Sequence, residues 1–507
     1  MAFDYIVVGA GSAGAVVAHR LSADPRSRVL LLEAGPPDRH PAIGVPAAFS
    51  ALFRSRYDWA YDTAPQPGLA GRRIFWPRGR TLGGSSALNA MMWVRGFAAD
   101  YDGWAAAAGP EWSWEALLPS FRRVERMLSI QPQRSPNPHT ADFLTAARQA
   151  GFAVEPANRP EPDGFSQTMV TQRRGARFSA ADGYLRPIRR RPNLTVRTGV
   201  RADRVVFDGS RAVAVQCSMP DGRTRTASAR REIVLCGGAV NTPQLLLLSG
   251  IGEPDQLAAQ GIPVVAASPA VGRNLQDHLV AGLIVRVAGG TLFDAQRPAE
   301  VARYLLRRTG MLTSNIAEAY GFVRSTPGLR HPDIEVVFAP VAYVGQGLER
   351  PPAHGLTVGA ILLQPRSRGT VSLASTDPSV PPVIDPAYLS DPADRVAMVR
   401  GLAVCERILR QPALRHQGFL VPDDADGMDE DTRDRTALDG YAHTLYHPVG
   451  TARMGTDDGS VVDPQLRVRG TTGLRVADAS VMPRIIRGHT HAPAVVIGER
   501  AAELIRS

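Results

Sequence analysis

Gly9, Gly11 and Gly14 near the N-terminus, together with Glu33, have residue types and a spacing that could do binding chemistry. Gly9 permits a tight turn, Gly11 lets a pyrophosphate approach the backbone, and Gly14 lets the next helix pack closely on the preceding strand. Glu33 follows Gly14 by 19 residues (33 − 14 = 19), close to the roughly 20 at which a carboxylate binds a ribose diol. The pattern predicts a dinucleotide site, because the alternative, an ordinary glycine turn of an α/β fold, leaves Glu33 without a role.

The segments around these residues must form a β-α-β unit for such a site to exist. The apolar run Tyr5 to Val8 predicts a buried parallel strand. The next segment, Ser12 to Leu21, predicts a helix whose positive N-terminal end faces the phosphates. A second apolar run, Val29 to Leu32, leads into Glu33. We therefore expect a Rossmann-type unit at the start of the chain.

A second glycine-rich segment, residues 79–89, reads Gly-Arg-Thr-Leu-Gly-Gly-Ser-Ser-Ala-Leu-Asn. A Rossmann domain that binds a nicotinamide dinucleotide does not need such a loop. The two segments together indicate a flavoenzyme.

Composition excludes several classes of protein. The chain has 507 residues, of which 44% are hydrophobic, so it can form about three domain-sized units with buried cores. The net charge is +10, and all 58 basic residues are arginines spread along the chain. This spread is typical of GC-rich codon usage and not of a nucleic-acid surface, so we expect no nucleic-acid partner. A preference for anionic substrates stays open.

The sequence also bears on location and on metals. No apolar run approaches the roughly 18 residues of a membrane span, and the first strand begins too early for a cleavable signal peptide. The three cysteines, Cys217, Cys236 and Cys405, fit neither a disulfide framework nor a metal site. We expect a cytoplasmic protein with no membrane span and no metal.

The remaining patterns predict a two-part α/β (α+β overall) architecture. Residues 194–217 alternate like paired strands, whereas 333–338, 356–363 and 369–373 read as strands and 391–410 as a helix. The last 65 residues return to apolar strands and glycine turns. We predict a discontinuous Rossmann-type cofactor-binding domain at 1–290 and 440–507, with substrate-domain insertions, and a mixed-sheet substrate-binding domain at 291–439.

Five ordered blocks give the chain a family resemblance along nearly its whole length. They are residues 79–96 with Gly-Gly-Ser-Ser-x-x-Asn, 238–252, Val-Gly-Arg-Asn-Leu-Gln-Asp-His at 271–278, His-Pro-Val-Gly-Thr-Ala-Arg-Met-Gly at 447–455, and 476–483 followed by His-Thr-His-Ala-Pro at 489–493. The chain resembles the glucose–methanol–choline (GMC) flavin oxidoreductases, in particular the choline dehydrogenase and aryl-alcohol or hydroxymethylfurfural oxidase branch.

The resemblance implies FAD as the cofactor. The residues it assigns to FAD are Gly9, Gly11, Ser12, Ala13, Gly14, Glu33, Ala34, Arg80, Leu82, Gly83, Gly84, Ser85, Asn89, Met92, Val200, Asp478, Ala479 and Pro493. Some members attach FAD through a histidine just before the asparagine of the first block. Leu88 occupies that position here, so we predict non-covalent FAD.

The resemblance also assigns acid–base roles to two of the eleven histidines. Oxidation of an alcohol removes a hydride from carbon and a proton from oxygen, and histidine is a suitable base near neutral pH. His447 is the implied base, and His491 the implied partner of the substrate oxygen. Either could be a structural histidine instead, and His489 lies only two residues from His491.

Three further residues have open assignments. Glu318 lies in a segment that resembles the choline dehydrogenases, where a carboxylate could contact a cationic head group, although a structural role is an equal alternative. Tyr446 precedes His447 and is a candidate substrate contact. Asp277 and His278 belong to a family-wide block, and we assign them a structural role.

The predicted function is FAD-dependent oxidation of an alcohol to an aldehyde, by hydride transfer to flavin N5. The first alternative is a non-redox lyase of the hydroxynitrile type on the same fold, and the second is a basic binding protein without catalysis. The identity of the alcohol, the electron acceptor (oxygen, or a quinone or protein carrier) and the choice between monomer and homodimer stay open.

Overall fold

The fold is described by a computed structural model that covers residues 2–423 and 427–506. Two large β-sheets, each covered by helices, dominate this part of the chain. The first sheet takes its strands from both ends of the sequence and positions the predicted dinucleotide site. The second sheet lies mainly in the middle of the chain.

The first sheet begins with the predicted β-α-β unit. Strand Phe3–Val8 pairs in parallel with Val29–Glu33, and the helix Ser12–Leu21 connects them. These strands are almost entirely buried, as apolar runs in a parallel sheet must be. The other strands of this sheet are Leu194–Thr198, Arg201–Asp208, Arg211–Ser218, Thr224–Leu235 and Leu474–Val476.

The C-terminal segment completes the first sheet and its helical layer. Strand Leu474–Val476 adds in parallel to Thr224–Leu235. The C-terminal helix, His491–Arg506, then packs against the first helix. The contact is close, because a Cβ at Gly498 would stand 2.7 Å from the carbonyl oxygen of Ala13. The return of the C-terminus to the first sheet agrees with a discontinuous Rossmann-type domain.

The second sheet differs from the sequence prediction in one respect. We expected a mixed sheet, but all its strand pairs are antiparallel. The loop at 324–333 between Ala319–Val323 and Ile334–Ala339 is too short for the crossover that parallel pairing needs, whereas most of the other pairs join strands that are far apart in the chain. Its strands are Phe165–Gln167, Leu279–Arg286, Ala319–Val323, Ile334–Ala339, Gly355–Leu362, Phe419–Val421 and His443–Thr444. This sheet therefore includes strands from outside 291–439.

Helices and short ribbons surround the sheets. The other helices are Pro41–Gly44, Ala98–Ala108, Trp114–Leu128, Pro138–Gln149, Gly238–Leu248, Pro254–Ala259, Pro298–Arg307, Pro392–Leu409 and Glu430–Thr436. The short strands are Tyr61–Asp62, Phe75–Trp76, Ile130–Pro132, Met169–Arg173, Ala176–Arg177, Ile251–Gly252, Ala266–Ala267, Thr370–Ser372 and Val383–Asp385. Across residues 2–423 and 427–506, none of the helices is both long and apolar enough to cross a bilayer.

Candidate active site

The glycine positions of the first β-α-β unit are of two kinds. Gly9 has φ +98°, and a Cβ there would stand 2.4 Å from the carbonyl oxygen of Cys236. A Cβ at Gly14 would stand 1.9 Å from the carbonyl oxygen of Gly9. At Gly11, in contrast, the nearest atom to an added Cβ is 3.8 Å away. The fold itself therefore requires Gly9 and Gly14, whereas the space beside Gly11 is free for a ligand.

Glu33 closes this end of the site. Its carboxylate accepts hydrogen bonds from the backbone N–H groups of Ala10 (3.0 Å) and Gly35 (2.9 Å). Burial raises the pKa of Glu33 to about 7, against the lowering effect of these N–H donors. The side chain lines a cavity of about 160 Å³ together with Gly11, Ser12 and Val200. The expected position for a ribose-binding carboxylate is thus beside the glycine turn.

Asp478 connects the C-terminal segment to a second glycine turn. Its carboxylate accepts hydrogen bonds from the Gly238 N–H at 2.8 Å, the Thr242 hydroxyl at 2.6 Å and the Ser480 N–H at 2.8 Å. Burial raises the pKa of Asp478, and these donors oppose the increase. Asp478 therefore holds the start of helix Gly238–Leu248 at the edge of the same cavity.

A larger cavity of about 920 Å³ continues from the first. The two share the lining residues Ser12, Arg78, Gly79, Ser85, Ala479 and Ala494. A long ligand bound at the glycine turns can therefore extend along these residues into the larger space, which His447 also lines.

Arg78 lies between the two cavities and was not predicted from the sequence. Its guanidinium donates to the Tyr446 carbonyl at 2.7 Å and to the Ser85 hydroxyl at 3.0 Å. Burial lowers the pKa of Arg78. The family resemblance implies the neighbouring Arg80 instead, whose guanidinium lies 5.0 Å from the centroid of the Trp59 ring. The short spacing in Pro-Arg-Gly-Arg at 77–80 gave no signal to separate the two arginines.

The segment before His447 has a strained and tightly held backbone. Tyr446 has φ +68°, a left-handed conformation that is unfavourable for a bulky side chain and is typical of functional sites. Its N–H donates to the Thr444 hydroxyl at 2.7 Å. The Asp277 carboxylate accepts the N–H of His447 at 2.7 Å and the hydroxyl of Thr444 at 2.6 Å. Asp277 thus fixes the backbone that carries the predicted base.

The His447 ring lies among other buried histidines. Its Nδ1 is 2.9 Å from Nδ1 of His278. The ring of His489 packs edge-on against it, with a centroid distance of 4.8 Å. Burial, followed by the proximity of His489, His278 and Arg78, holds the pKa of His447 well below its usual range. His447 is therefore neutral near pH 7, which is the form required of a base.

The two histidines after His447 occupy different places. His489 contacts His447, and its Nε2 lies 2.9 Å from the carboxylate of Glu335, which is buried. His491 begins the C-terminal helix, and its Nδ1 lies 3.1 Å from the Ser12 hydroxyl. Burial lowers the pKa of His491 to about 4. Both line the large cavity, but His489 is the one that packs on the predicted base.

Glu318 lies apart from these groups. Its carboxylate accepts hydrogen bonds from the Asn137 N–H at 2.6 Å, the Thr140 hydroxyl at 2.7 Å and the Ser314 hydroxyl at 2.5 Å. Burial raises the pKa of Glu318. It is not among the described residues that line either cavity, so this geometry gives no support to its predicted contact with a substrate.

The structure groups most of the other predicted residues around the two cavities. The cofactor-site predictions that line them are Gly9, Gly11, Ser12, Ala13, Glu33, Ala34, Gly84, Ser85, Asn89, Met92, Val200, Asp478 and Ala479, and Tyr446 lines the larger cavity with His447 and His491. Among the described residues, Gly14, Arg80, Leu82, Gly83 and Pro493 lie outside the lining sets. Asp277, His278, His489 and Glu335 complete the surroundings of His447.

Comparison with known proteins identifies the family. The GMC oxidoreductase profiles match residues 3–280 and 365–498, which together cover most of the chain. The chain belongs to the GMC oxidoreductase family. It is 57% identical to an uncharacterized GMC-type oxidoreductase of Mycobacterium tuberculosis, over 99% of both chains. It is 40% identical to an alcohol dehydrogenase [acceptor] of Pseudomonas putida, over 99% of this chain and 95% of the relative.

A solved structure has the same fold. Pyridoxine 4-oxidase from Mesorbium loti superposes with a TM-score of 0.88 and 32% identity, over 99% of this chain and 98% of the other. FAD is the cofactor of the present chain as a GMC oxidoreductase, and the residues around the two cavities fit it. The open side of Gly11 and the carboxylate of Glu33 suit the adenosine diphosphate half. Near the larger cavity, the buried Arg177 has a guanidinium nitrogen, Nη2, with no hydrogen-bond partner in the described chain.

Proposed function

We propose that this GMC oxidoreductase oxidises a primary alcohol to an aldehyde, with His447 as the general base. One observation carries the proposal. A neutral, buried His447 stands on the wall of the large cavity, which is continuous with the FAD-binding glycine turns. An alcohol bound in this cavity must lose a proton from oxygen and a hydride from carbon. Bound FAD supplies the acceptor for that hydride.

His447 is suited to take the hydroxyl proton. The ring is neutral, so a nitrogen lone pair is available, and Asp277 holds its backbone through the N–H. The left-handed backbone at Tyr446 turns the chain so that the His447 ring lines the large cavity. General-base removal of the proton makes the carbon a better hydride donor, and such a group contributes typically about 10²–10⁴ in rate.

We assign the second histidine of the reaction to His489. The family resemblance implies this role for His491, but His489 packs on the His447 ring, whereas His491 contacts Ser12 at the start of the first helix. The Glu335 carboxylate holds Nε2 of the His489 ring, which leaves the other ring nitrogen, Nδ1, for a contact with the substrate oxygen. His491, at the N-terminus of its helix, is better placed to contact the cofactor.

FAD is held without a covalent bond in this proposal. Leu88 is a buried apolar side chain in the position where a histidine would form the bond. Glu33, Asp478 and the glycine turns at Gly11 and Gly84 would hold the dinucleotide. The hydroxyls of Ser12 and Ser85, with the guanidinium of Arg78, lie where the two cavities join.

The cavity favours an alcohol with an aromatic or apolar body over choline. The rings of Phe49, Phe53, Phe75 and Tyr343 line it. The described lining residues include five arginines and three carboxylates, so a quaternary ammonium would face a net positive charge of two (5 − 3 = 2). The arginines are Arg54, Arg72, Arg73, Arg78 and Arg350, and the carboxylates are Asp62, Glu349 and Asp423. Glu318, the predicted partner of a cation, lies outside the lining.

Anaerobic bleaching of the bound flavin spectrum tests this function. The panel contains benzylic and furfuryl alcohols, aliphatic alcohols, sugars and choline, with air admitted after each addition. We expect the benzylic or furfuryl alcohols to bleach the flavin faster than choline. Recovery of the spectrum in air separates an oxidase from a dehydrogenase that needs another acceptor. A flavin that no alcohol bleaches would contradict the proposal and favour the lyase alternative.

A further inference from the structure

The proposed reaction leaves one buried neighbour of His447 without a role. His278 Nδ1 lies 2.9 Å from His447 Nδ1, and the two rings meet edge to face with their centroids 5.1 Å apart. The His278 side chain is fully buried. A hydrogen bond between two ring nitrogens requires one proton between them, so one nitrogen donates and the other accepts.

The second nitrogen of His278 determines which of the two donates. His278 Nε2 lies 2.9 Å from the carbonyl oxygen of Leu363, which can only accept, so Nε2 carries a proton. The carbonyl of Ile486 also faces this ring. Burial, followed by the proximity of His489, lowers the pKa of His278 to about 3, so the ring is neutral and has a single N–H. With the proton on Nε2, the Nδ1 of His278 is an acceptor.

The proton of His447 is placed by the same argument. Since His278 Nδ1 accepts, His447 must donate from its own Nδ1. His447 is also neutral, so its Nε2 has no proton and offers a lone pair. In the described chain, no protein group hydrogen bonds to this Nε2, and His447 lines the large cavity.

We propose that His278 is a positioning residue that fixes the tautomer of His447 and thereby reserves the His447 Nε2 lone pair for the substrate hydroxyl. This inference rests on the proposed role of His447 as base. The backbone of the second sheet determines which nitrogens of His278 and His447 carry protons. Leu363 directly follows strand Gly355–Leu362, and its N–H donates to the Asp333 carbonyl at 3.0 Å, so the Leu363 carbonyl has a fixed position. The hydrogen bond of one nitrogen sets the chemistry of the other in both rings.

Two variants of almost equal shape separate this role from a merely structural one. In His278→Asn, the amide oxygen can accept from His447 Nδ1–H, whereas His278→Leu removes the acceptor and keeps a similar branched volume. We expect the Asn variant to reduce its flavin at close to the wild-type rate. We expect the Leu variant to lose about 10- to 100-fold in the rate of flavin reduction at saturating alcohol, as for other groups that orient a reactive histidine. FAD content should be unchanged in both.

A second measurement does not depend on turnover. In the FAD-loaded protein labelled with [15N]histidine, the His447 signals are those that disappear in His447→Ala. We expect protonated Nδ1 and unprotonated Nε2 at His447, and the reverse pattern at His278, assigned in the same way with His278→Asn. His447 protonated on Nε2, or His278 protonated on Nδ1, would overturn the inference even if no alcohol in the panel were a substrate.

The rates distinguish the inference from the function on which it rests. If His447→Ala is slow while the Asn and Leu variants at 278 are equally fast or equally slow, His278 does not set the tautomer and the inference is wrong. If His447→Ala reduces its flavin at the wild-type rate, the base assignment itself fails.

Discussion

At the scale of single residues, His447 is the group on which the proposed chemistry depends most. Substitution to alanine removes the proton acceptor but leaves Asp277 bonded to the backbone at position 447, so the fold should persist. We expect flavin reduction to fall by about 10²–10⁴, the usual effect of losing a general base, with FAD still bound. Stopped-flow absorbance measures the rate. His331→Ala, which lies outside the cavity lining, is the control and should keep the wild-type rate.

The pH dependence of the same rate reports on the surroundings of His447. Burial and the neighbouring His489, His278, Arg78 and His491 lower its pKa, which means that the neutral form persists at a pH below 6.5, the ordinary value. A base must be neutral to accept a proton, so the rate should stay constant as the pH falls through 6.5 and decrease only at more acidic pH. A rate that halves at pH 6.5 or above would show that the surroundings do not act in this way.

His489 and His491 can be separated by paired substitutions. His489→Asn removes the ring that contacts His447 and Glu335, so we expect a lower maximal rate of flavin reduction with normal FAD content. His491→Asn removes the contact with Ser12 at the start of the first helix, so we expect the larger change in FAD affinity. Rapid-reaction kinetics and FAD titration of the apoprotein measure the two effects. The opposite result would return the substrate role to His491, as the sequence analysis had it.

The sequence could name the residues that bear motifs but not those that support them. Gly11, Glu33 and His447 lie in segments whose order and spacing are informative. Glu335 is an acidic residue within an apolar strand and has no motif, so only the pairing of that strand brings it to His489. His278 belongs to the motif at 271–278, but its proposed role depends on what its two ring nitrogens contact, and the spacing of residues in the sequence does not contain this information.

At the scale of elements, the glycine turn after the first strand gives a direct test of cofactor binding. The fold has room for a methyl group at Gly11, since the nearest atom to an added Cβ is 3.8 Å away, but a bound pyrophosphate would need that room. We expect Gly11→Ala to fold and to purify with much less FAD. Gly14→Ala should instead destabilise the protein, because its Cβ would stand 1.9 Å from the Gly9 carbonyl oxygen.

Gly103→Ala is the matched control for Gly11→Ala. It lies on the exposed face of helix Ala98–Ala108, and no atom is within 4 Å of an added Cβ. FAD content, measured by absorbance, should stay at the wild-type level, and the melting temperature should not fall, because alanine is the better helix former. Full FAD content in Gly11→Ala would place the pyrophosphate elsewhere.

The elements at the start of the first sheet can be predicted from the sequence, whereas the strand direction of the second sheet cannot, for a physical reason. The first helix, predicted as Ser12 to Leu21, has those bounds in the structure, and the first two strands differ by two residues or fewer at each end. Local sequence specifies these elements, because apolar runs and glycine turns alternate over short distances. The direction of the second sheet depends on pairings between distant segments such as Leu279–Arg286 and Gly355–Leu362, which the local pattern does not contain.

At the scale of the whole molecule, a buried ion pair joins the N- and C-terminal segments. Glu499 on the C-terminal helix is 2% exposed and pairs with Arg20 on the first helix at 2.8 Å, and it accepts the Tyr184 hydroxyl at 3.1 Å. Glu499→Ala leaves the Arg20 charge without this partner, so we expect a loss of about 3 kcal/mol in stability. Denaturant titration of the FAD-loaded protein measures the loss.

Glu503, one turn further along the same helix, provides the control. Its side chain is 32% exposed and pairs with the partly exposed Arg123 and Arg500. Exposed pairs of this kind contribute little, so Glu503→Ala should cost at most about 1 kcal/mol. Equal losses in the two variants would show that the connection between the two helices does not depend on Glu499.

The pairing of strand Leu474–Val476 with Thr224–Leu235 also has a consequence for biosynthesis. On the ribosome, the first β-α-β unit emerges early, yet the strand that completes its sheet begins 441 residues later (474 − 33 = 441), followed by the helix that completes its helical layer. At about 5–20 residues per second, that interval is on the order of tens of seconds. During this time the nascent chain exposes apolar surface that only residues 474–506 cover, so we expect a chain truncated before residue 474 to be unable to retain its cofactor.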